Sequence, residues 1–181
     1  MSLREVLRTE TRASHKALDA LVGRYDIRLR DDFGAFLTMH LDALRALRPR
    51  LSEAADMRTE IDGMIADLAD DLASLGHAPA DATMMRGGGP LHPDAVRYVV
   101  LGARIGLGQL RRYWAASPCP QVRSADAFLS KPMDHRRWKD LCARLSALSA
   151  SDAQARIVED ANAIFDIFVC AFSRLSCAQE V

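Results

Sequence analysis

This chain lacks any apolar run long enough to cross a bilayer, because Arg97 and Arg104 interrupt its longest apolar stretch. It also lacks an excess of either charge, since 24 basic and 24 acidic side chains balance. That balance argues against nucleic acid or a polybasic membrane surface as the main partner. The chain is charged from Arg4 onward, so no secretory signal is predicted. We therefore expect a cytoplasmic protein that engages neither membranes nor nucleic acids.

Ligand patterns of common protein metal centres are missing as well. The sequence contains no Cys-x-x-Cys pair and no Glu-x-x-His, which disfavours a zinc site and a di-iron site in a helical bundle. The glycines at 87–89 lack the lysine and hydroxyl residue of a phosphate-binding loop. Four cysteines are present, and we expect Cys142 and Cys170 to be buried free thiols in amphipathic helices. A Ser-His-Asp or Cys-His mechanism stays open.

No β-strand pattern competes with the helical spacing of apolar residues along the chain. With 181 residues, 49% of them apolar, the sequence predicts an all-α bundle of about six helices in a single domain, residues 1–181. A loop is predicted for His77–His92, a break at Pro118–Pro120 and a short turn at Phe128–Leu129. The predicted helices run from a Ser2 cap to Val22, from Asp31 to an interruption near Pro49, from Thr59 to Leu75, from Pro93 to Ala116, from Met133 to Leu148, and onward from a Ser151 cap.

Three glycines stand inside the predicted helix that begins at Pro93. Each of Gly102, Gly106 and Gly108 costs about 1 kcal/mol relative to alanine in a helix interior. Gly102 and Gly106 lie one turn apart, so together they bare a strip of backbone on one face. Either a close helix–helix crossing or the approach of a flat ligand would explain that strip.

The first predicted helix carries His15 with two cations on the same side. Arg8 and Arg12 precede His15 by seven and three residues, which is two turns and one turn of a helix. An imidazole flanked by guanidinium groups suits a planar, metal-bearing ligand with anionic arms, because haem iron takes a histidine ligand and arginine pairs with propionates. The alternative interpretations are a structural histidine at His15 and, for the two arginines, a solvated helix face.

In combination, three stretches of the chain resemble the haem oxygenase family, in particular its bacterial members. The spacing Thr11-x3-His15-x2-Leu18-Asp19 resembles the family's proximal helix, which has the pattern Thr-x3-His-x2-Leu-Glu. The stretch from Tyr98 to Gly106 is similar to the bacterial distal signature Tyr-Val-Leu-Glu-Gly-Ser-x-Leu-Gly-Gly. The segment 156–168 resembles the last helix of that fold, and the end of the third helix at 71–76 also fits.

The resemblance implies a haem oxygenase-like bundle in which haem lies between the first helix and a distal helix kinked at Gly102 and Gly106. His15 would be the axial ligand of the iron, and the two glycines would bring backbone onto the haem face where the reaction occurs. Arg8 and Arg12 would hold the propionates. Tyr98 and Arg137 are further candidates for that role.

The implied activity is that of a haem-degrading monooxygenase, with haem as both substrate and cofactor. O2 and electrons from a ferredoxin or a flavin reductase would open the ring to biliverdin, CO and Fe2+. Such a reaction serves iron release or the supply of biliverdin to a bilin-binding photoreceptor. The protein's part is orientation and hydrogen bonding.

The chain departs from the distal signature at three positions. Leu101 replaces its glutamate, Ala103 its serine, and Leu107 the second glycine of its closing pair, while a glycine returns at Gly108. Some members of the family have an aspartate at this position, whose carboxylate organises water on the distal side of the haem, and Ala103 cannot do that. Two alternatives follow: a non-catalytic haem-binding or haem-sensing protein on the same fold, or a thiaminase-like or cofactor-biosynthesis enzyme on a related helical fold.

Overall fold

A computed structural model describes residues 1–51, 54–77, 88–132, 134–149 and 152–178. These residues form α-helices throughout, with one 3-10 turn at Arg48–Arg50 and no strand among them beyond a bridge between Ser2 and Ser149. The prediction of an all-α bundle is therefore confirmed. The helices are α1 (Leu3–Glu10), α2 (Arg12–Val22), α3 (Arg30–Leu47), α4 (Ala55–Ser74), α5 (Pro93–Ala115), α6 (Pro120–Ser124), α7 (Ala127–Ser130), α8 (His135–Ala147) and α9 (Asp152–Ala178).

Helix α9 is the centre of the bundle. It packs against α1, α2, α3 and α5, and α4 adds a further layer on α3. The core includes fully buried Phe33, Phe36 and Phe172, together with Phe128 at 1% exposure. Helices α2 and α5 both pack on α9.

The prediction of one unbroken helix from Ser2 to Val22 is wrong at Thr11. Ser2 caps α1 as expected, with Glu5 completing a capping box. At Thr11 the side-chain hydroxyl donates to the Leu7 carbonyl at 2.7 Å, in competition with the backbone. The helical run therefore divides into α1 and α2, with Thr11 buried at the junction.

The other boundaries follow the prediction closely. The 3-10 turn that ends α3 contains Pro49, which confirms the predicted interruption. Helix α4 begins at Ala55 instead of Thr59, and α8 spans His135–Ala147. The segment after α5 contains the short helices α6 and α7, where the sequence predicted only a break and a short turn. Most of the predicted loop, the predicted start at 133 and the predicted cap at 151 lie outside the described residues.

Helix α5 is fixed at its start by capping and by charge. His92 caps it, with Nδ1 accepting from the Asp94 amide at 3.1 Å, and Pro93 occupies the first turn. Asp94 accepts two hydrogen bonds of 2.7 Å from the Arg144 guanidinium of α8. This pairing holds the pKa of the Asp94 carboxyl below its usual range. It ties α8 to α5 and so sets the side of α5 on which α8 lies.

The two cysteines that were predicted to be buried have different environments. Cys142 is buried as predicted, but the expectation that Cys170 is buried is wrong, because it lies on the exposed side of α9. The neighbouring core positions Ile167 and Ala171 take the inward side instead. None of the helices in the described ranges combines the length and apolarity that a membrane span requires.

Asp71 joins α4 to α7, and its removal should destabilise the fold. Its carboxylate is 2% exposed and accepts hydrogen bonds from the Ala127 and Phe128 amides at 2.8 and 2.9 Å. We expect Asp71→Ala to lower the free energy of unfolding by about 2–4 kcal/mol, since two charge-assisted hydrogen bonds are lost inside the protein. Urea unfolding measures this, and a loss below about 0.5 kcal/mol, typical of a surface substitution, would contradict it.

Candidate functional site

The candidate site is the region where α2 and α5 stand on α9. Ser14 of α2 donates a hydrogen bond from Oγ to Asn162 Oδ1 of α9 at 2.7 Å, which anchors α2 to α9. His15, the next residue, projects beside this anchor. Its ring lies over α9, with 5.6 Å between the ring centroids of His15 and Phe165. The fold thus places His15, the predicted iron ligand, against α9 at Phe165.

The His15 imidazole is oriented and accessible. Its Nδ1 lies 2.8 Å from Asp19 Oδ2, one turn further along α2, and the side chain is 59% exposed. A carboxylate on Nδ1 favours the tautomer that carries the proton there and leaves Nε2 with a free lone pair. This is the arrangement in which metal-binding histidines usually occur, because the outer-shell partner sets both the tautomer and the ring orientation.

The inward face of α5 opens at Ala103. Positions 96, 99, 103, 107 and 110 follow each other at helical spacing and therefore share one face. Val96 and Val99 are buried, and Leu107 and Leu110 pack partly against the core, yet Ala103 between them is exposed. An exposed residue in the middle of a packed stripe indicates a gap between α5 and its neighbours at this level.

The two predicted glycines have different surroundings. A methyl group added to Gly102 would lie 3.3 Å from the Trp138 ring of α8, whereas one added to Gly106 would meet no atom within 4 Å. Close helix packing therefore accounts for Gly102, and Gly106 faces open space. The kink expected at these glycines involves no break in the helix, since Pro93–Ala115 is one α-helix.

Tyr98 of α5 lies beside Thr11, at the junction of α1 and α2. Its ring stacks at an angle on Trp138, with 5.8 Å between centroids. Burial is the main reason that the pKa of Tyr98 is raised, while a side-chain hydrogen bond with Thr11 and the charges of Arg4 and Arg8 act in the opposite direction. Tyr98 and Arg8, predicted from distant parts of the sequence, are therefore near each other in the fold.

The prediction that Arg8 and Arg12 both lie on the helix of His15 is wrong for Arg8, which belongs to α1, before the break at Thr11. Arg8 and Arg12 are exposed, and among the described residues no carboxylate pairs with either. Arg137, in contrast, pairs with Glu60 and approaches Asp56 at 3.5 Å, both on α4. The candidacy of Arg137 for a propionate is not retained, because its charge is already neutralised by α4.

Sequence reasoning missed the roles of Asp19, Phe165 and Trp138. The signal for Asp19 was present, because a carboxylate four residues after a histidine on a helix can reach its ring. The contacts of Phe165 and Trp138 depend on how helices pack and have no local signal. Within the described ranges, no three His, Cys, Asp or Glu side chains gather where they could hold a metal ion.

Comparison with models of known protein families finds no match for this chain. Comparison with curated proteins finds no match either.

Proposed function

We propose that the region above α9 binds haem, with His15 as the axial ligand, and that the protein degrades it as a haem oxygenase does. The observation that carries this proposal is the His15–Asp19 pair. The exposed imidazole has its Nδ1 paired with a carboxylate and its Nε2 free. It can therefore coordinate a metal ion whose remaining ligands come from a bound cofactor. Haem is such a ligand, because the macrocycle supplies the four equatorial nitrogens.

The surroundings of His15 fit the rest of a haem molecule. Phe165 offers an apolar surface beside the imidazole. Arg8 of α1 and Arg12 of α2, on the two sides of the break at Thr11, supply two exposed guanidinium groups, and each can bind a propionate through paired hydrogen bonds. Across the site, Ala103 and Gly106 leave α5 without bulk on its open segment. We infer that the backbone approach lies at Gly106, because Trp138 already covers Gly102.

In this proposal, haem supplies the iron at which O2 is activated, and electrons come from a ferredoxin or flavin reductase. The protein itself orients the haem and encloses it. Asp19 holds the proton on His15 Nδ1 and keeps the ring aimed, while Arg8 and Arg12 set the rotation of the macrocycle by fixing its propionates. That rotation would decide which edge of the ring faces the segment of α5 at Ala103 and Gly106, and the products would be biliverdin, CO and Fe2+.

A haem-binding protein that does not turn over is the second candidate, and Ala103 favours it. The open segment of α5 carries a methyl group where the resemblance places a polar residue. A methyl group neither donates nor accepts a hydrogen bond, so it cannot hold water beside the haem. Binding requires only His15 and the arginines, whereas turnover also requires delivery of protons at this face.

A haemin titration followed by reduction in air tests both candidates. We expect a one-to-one complex with a Soret band, followed, on addition of ascorbate or a ferredoxin and its reductase, by loss of that band and growth of the red absorption of biliverdin. The electron source is supplied without protein as the control for uncatalysed bleaching. A Soret band that persists under reducing, aerobic conditions would assign the protein to the second candidate, and failure to bind haemin would overturn both.

A further inference from the structure

A pocket lies between α5, α7 and the start of α8, and Leu107 at its edge also belongs to the face of α5 that carries Ala103. It has a volume of about 130 Å³ and is bounded by Arg104, Gly108 and Arg111 of α5, by Phe128 of α7, and by Lys131 and His135 where α8 begins. The proposed function uses none of these residues. The pocket therefore requires an explanation of its own.

Gly108 belongs to this pocket and not to the face that carries Gly106. Successive residues of an α-helix are turned by about 100°, so the two positions point in nearly opposite directions, about 200° apart. A methyl group added to Gly108 would meet no atom within 4 Å, as expected for a residue that lines open space. The third glycine of α5, which costs about 1 kcal/mol in helix stability, thus keeps the pocket free of a side chain.

The pocket carries positive charge that the protein does not neutralise. Arg104, although partly buried, and Arg111 have no carboxylate partner among the described residues. Lys131 is paired, since its Nζ lies 2.6 Å from Asp67 Oδ1. Charged side chains that are partly withdrawn from water, as Arg104 is, are usually paired, and an unpaired Arg104 beside the exposed Arg111 at one pocket indicates an anionic ligand.

We propose that this pocket binds the phosphate or carboxylate group of a small molecule, held by Arg104 and Arg111 on either side of Gly108. Arginine forks match the paired oxygens of both groups. Pockets that enclose whole ligands usually measure about 300–1,000 Å³. A pocket of about 130 Å³ therefore takes the anionic group itself, with Phe128 contacting the adjoining apolar part of the molecule.

The test measures anion binding by the full chain without haem, so its result is independent of the proposed function. Inorganic phosphate and acetate are titrated at constant ionic strength against chloride, and amide and arginine Nε–H resonances are followed by NMR. We expect saturable shifts at Arg104, Gly108 and Arg111. Saturation with phosphate alone assigns a phosphate ligand, and saturation with acetate assigns a carboxylate.

Three variants locate the site. Arg111→Gln should weaken binding about tenfold or more, because one charge-assisted interaction is lost. Gly108→Leu should abolish binding while every charge is retained, since the added side chain fills the pocket, and leucine on an exposed helix position is compatible with folding. Arg112→Gln is the matched control, because Arg112 is an exposed arginine of the same helix outside the pocket.

Equal weakening by Arg112→Gln and Arg111→Gln would overturn the proposal, because it would show attraction to the whole basic helix. Binding that survives Gly108→Leu would also overturn it. The absence of any saturable shift in the unmodified chain would do the same.

Discussion

We expect replacement of His15 with alanine to abolish the spectrum of histidine-coordinated haem and to weaken haemin binding. The expected loss exceeds the roughly 10- to 100-fold that removal of an outer-shell partner causes, because the axial ligand itself is gone. The substitution should leave the fold intact, since the His15 side chain is 59% exposed and its main contacts are Asp19 and one face of Phe165. Titration with haemin, followed by absorption spectroscopy, measures the effect.

Three comparisons make the His15 result specific. Asp19→Asn should retain coordination but weaken haemin binding about 10- to 100-fold, because the imidazole loses its charged outer-shell partner. His135→Ala removes another exposed histidine and should change nothing. Imidazole added to the His15→Ala protein should restore a coordinated spectrum, since the free ligand can occupy the vacated space.

An unchanged spectrum in His15→Ala would assign the iron ligand to another residue. Thermal unfolding of the variant, measured in parallel, separates loss of a ligand from loss of the fold. Equal behaviour of Asp19→Asn and the unmodified protein would show that the His15–Asp19 contact is only a surface ion pair.

Replacing His40 with leucine should remove a large part of the acid sensitivity of this fold. His40 lies on α3 among four phenylalanine rings, with centroid distances of 4.2, 5.7, 5.9 and 5.2 Å to Phe36, Phe128, Phe168 and Phe172. Its Nδ1 lies 2.9 Å from the Phe36 carbonyl. Burial among these rings lowers the pKa of His40 to about 4, because the charged form is poorly solvated there.

The sign of the effect follows from the two states. In the unfolded chain His40 has a pKa of 6.5, so between pH 6.5 and about 4 the unfolded state binds more protons than the folded state. The free energy of unfolding therefore falls with decreasing pH in this window, by about 1.4 kcal/mol per pH unit for one group. We expect the unmodified protein to lose about 3 kcal/mol more than His40→Leu between pH 7 and pH 4.

Urea unfolding at several pH values measures this difference. Comparing each protein with itself at pH 7 removes the packing change that the substitution causes. The partly buried Asp42 and the buried Asp71, whose pKa values are raised by desolvation, are present in both proteins, so their contributions cancel. His135→Leu, at an exposed position, is the control and should keep the acid sensitivity. Parallel pH profiles for the unmodified protein and His40→Leu would contradict the prediction.

Most helices could be predicted from the sequence because their signals are local. Ser2 with Glu5 predicted the start of α1, Pro93 the start of α5, and Pro49 the end of α3. The division at Thr11 could not be predicted in this way. A threonine inside a helix can point its hydroxyl to solvent or to the preceding carbonyl, and the burial of Thr11 against its neighbours selects the second.

The candidate site divides in the same manner. Arg12 and His15 share α2, so their common side followed from spacing alone. Arg8 belongs to α1, because the break at Thr11, which spacing did not predict, separates it from them. Arg137 was a poor candidate for a reason that lies on another helix, where Glu60 and Asp56 capture its charge. Spacing cannot identify a partner 77 residues away along the chain.

The sequence by itself determined that α5 bares its backbone at three glycines, because only the absence of a side chain is needed for that. The tertiary structure decided what each bare position faces. Trp138 covers Gly102, Gly106 faces open space, and Gly108 lines a pocket with α7 and the start of α8. The physical reason is that a glycine leaves space at a helix surface because it has no side chain. The residue that fills this space belongs to a helix distant in the chain, so the local sequence does not identify it.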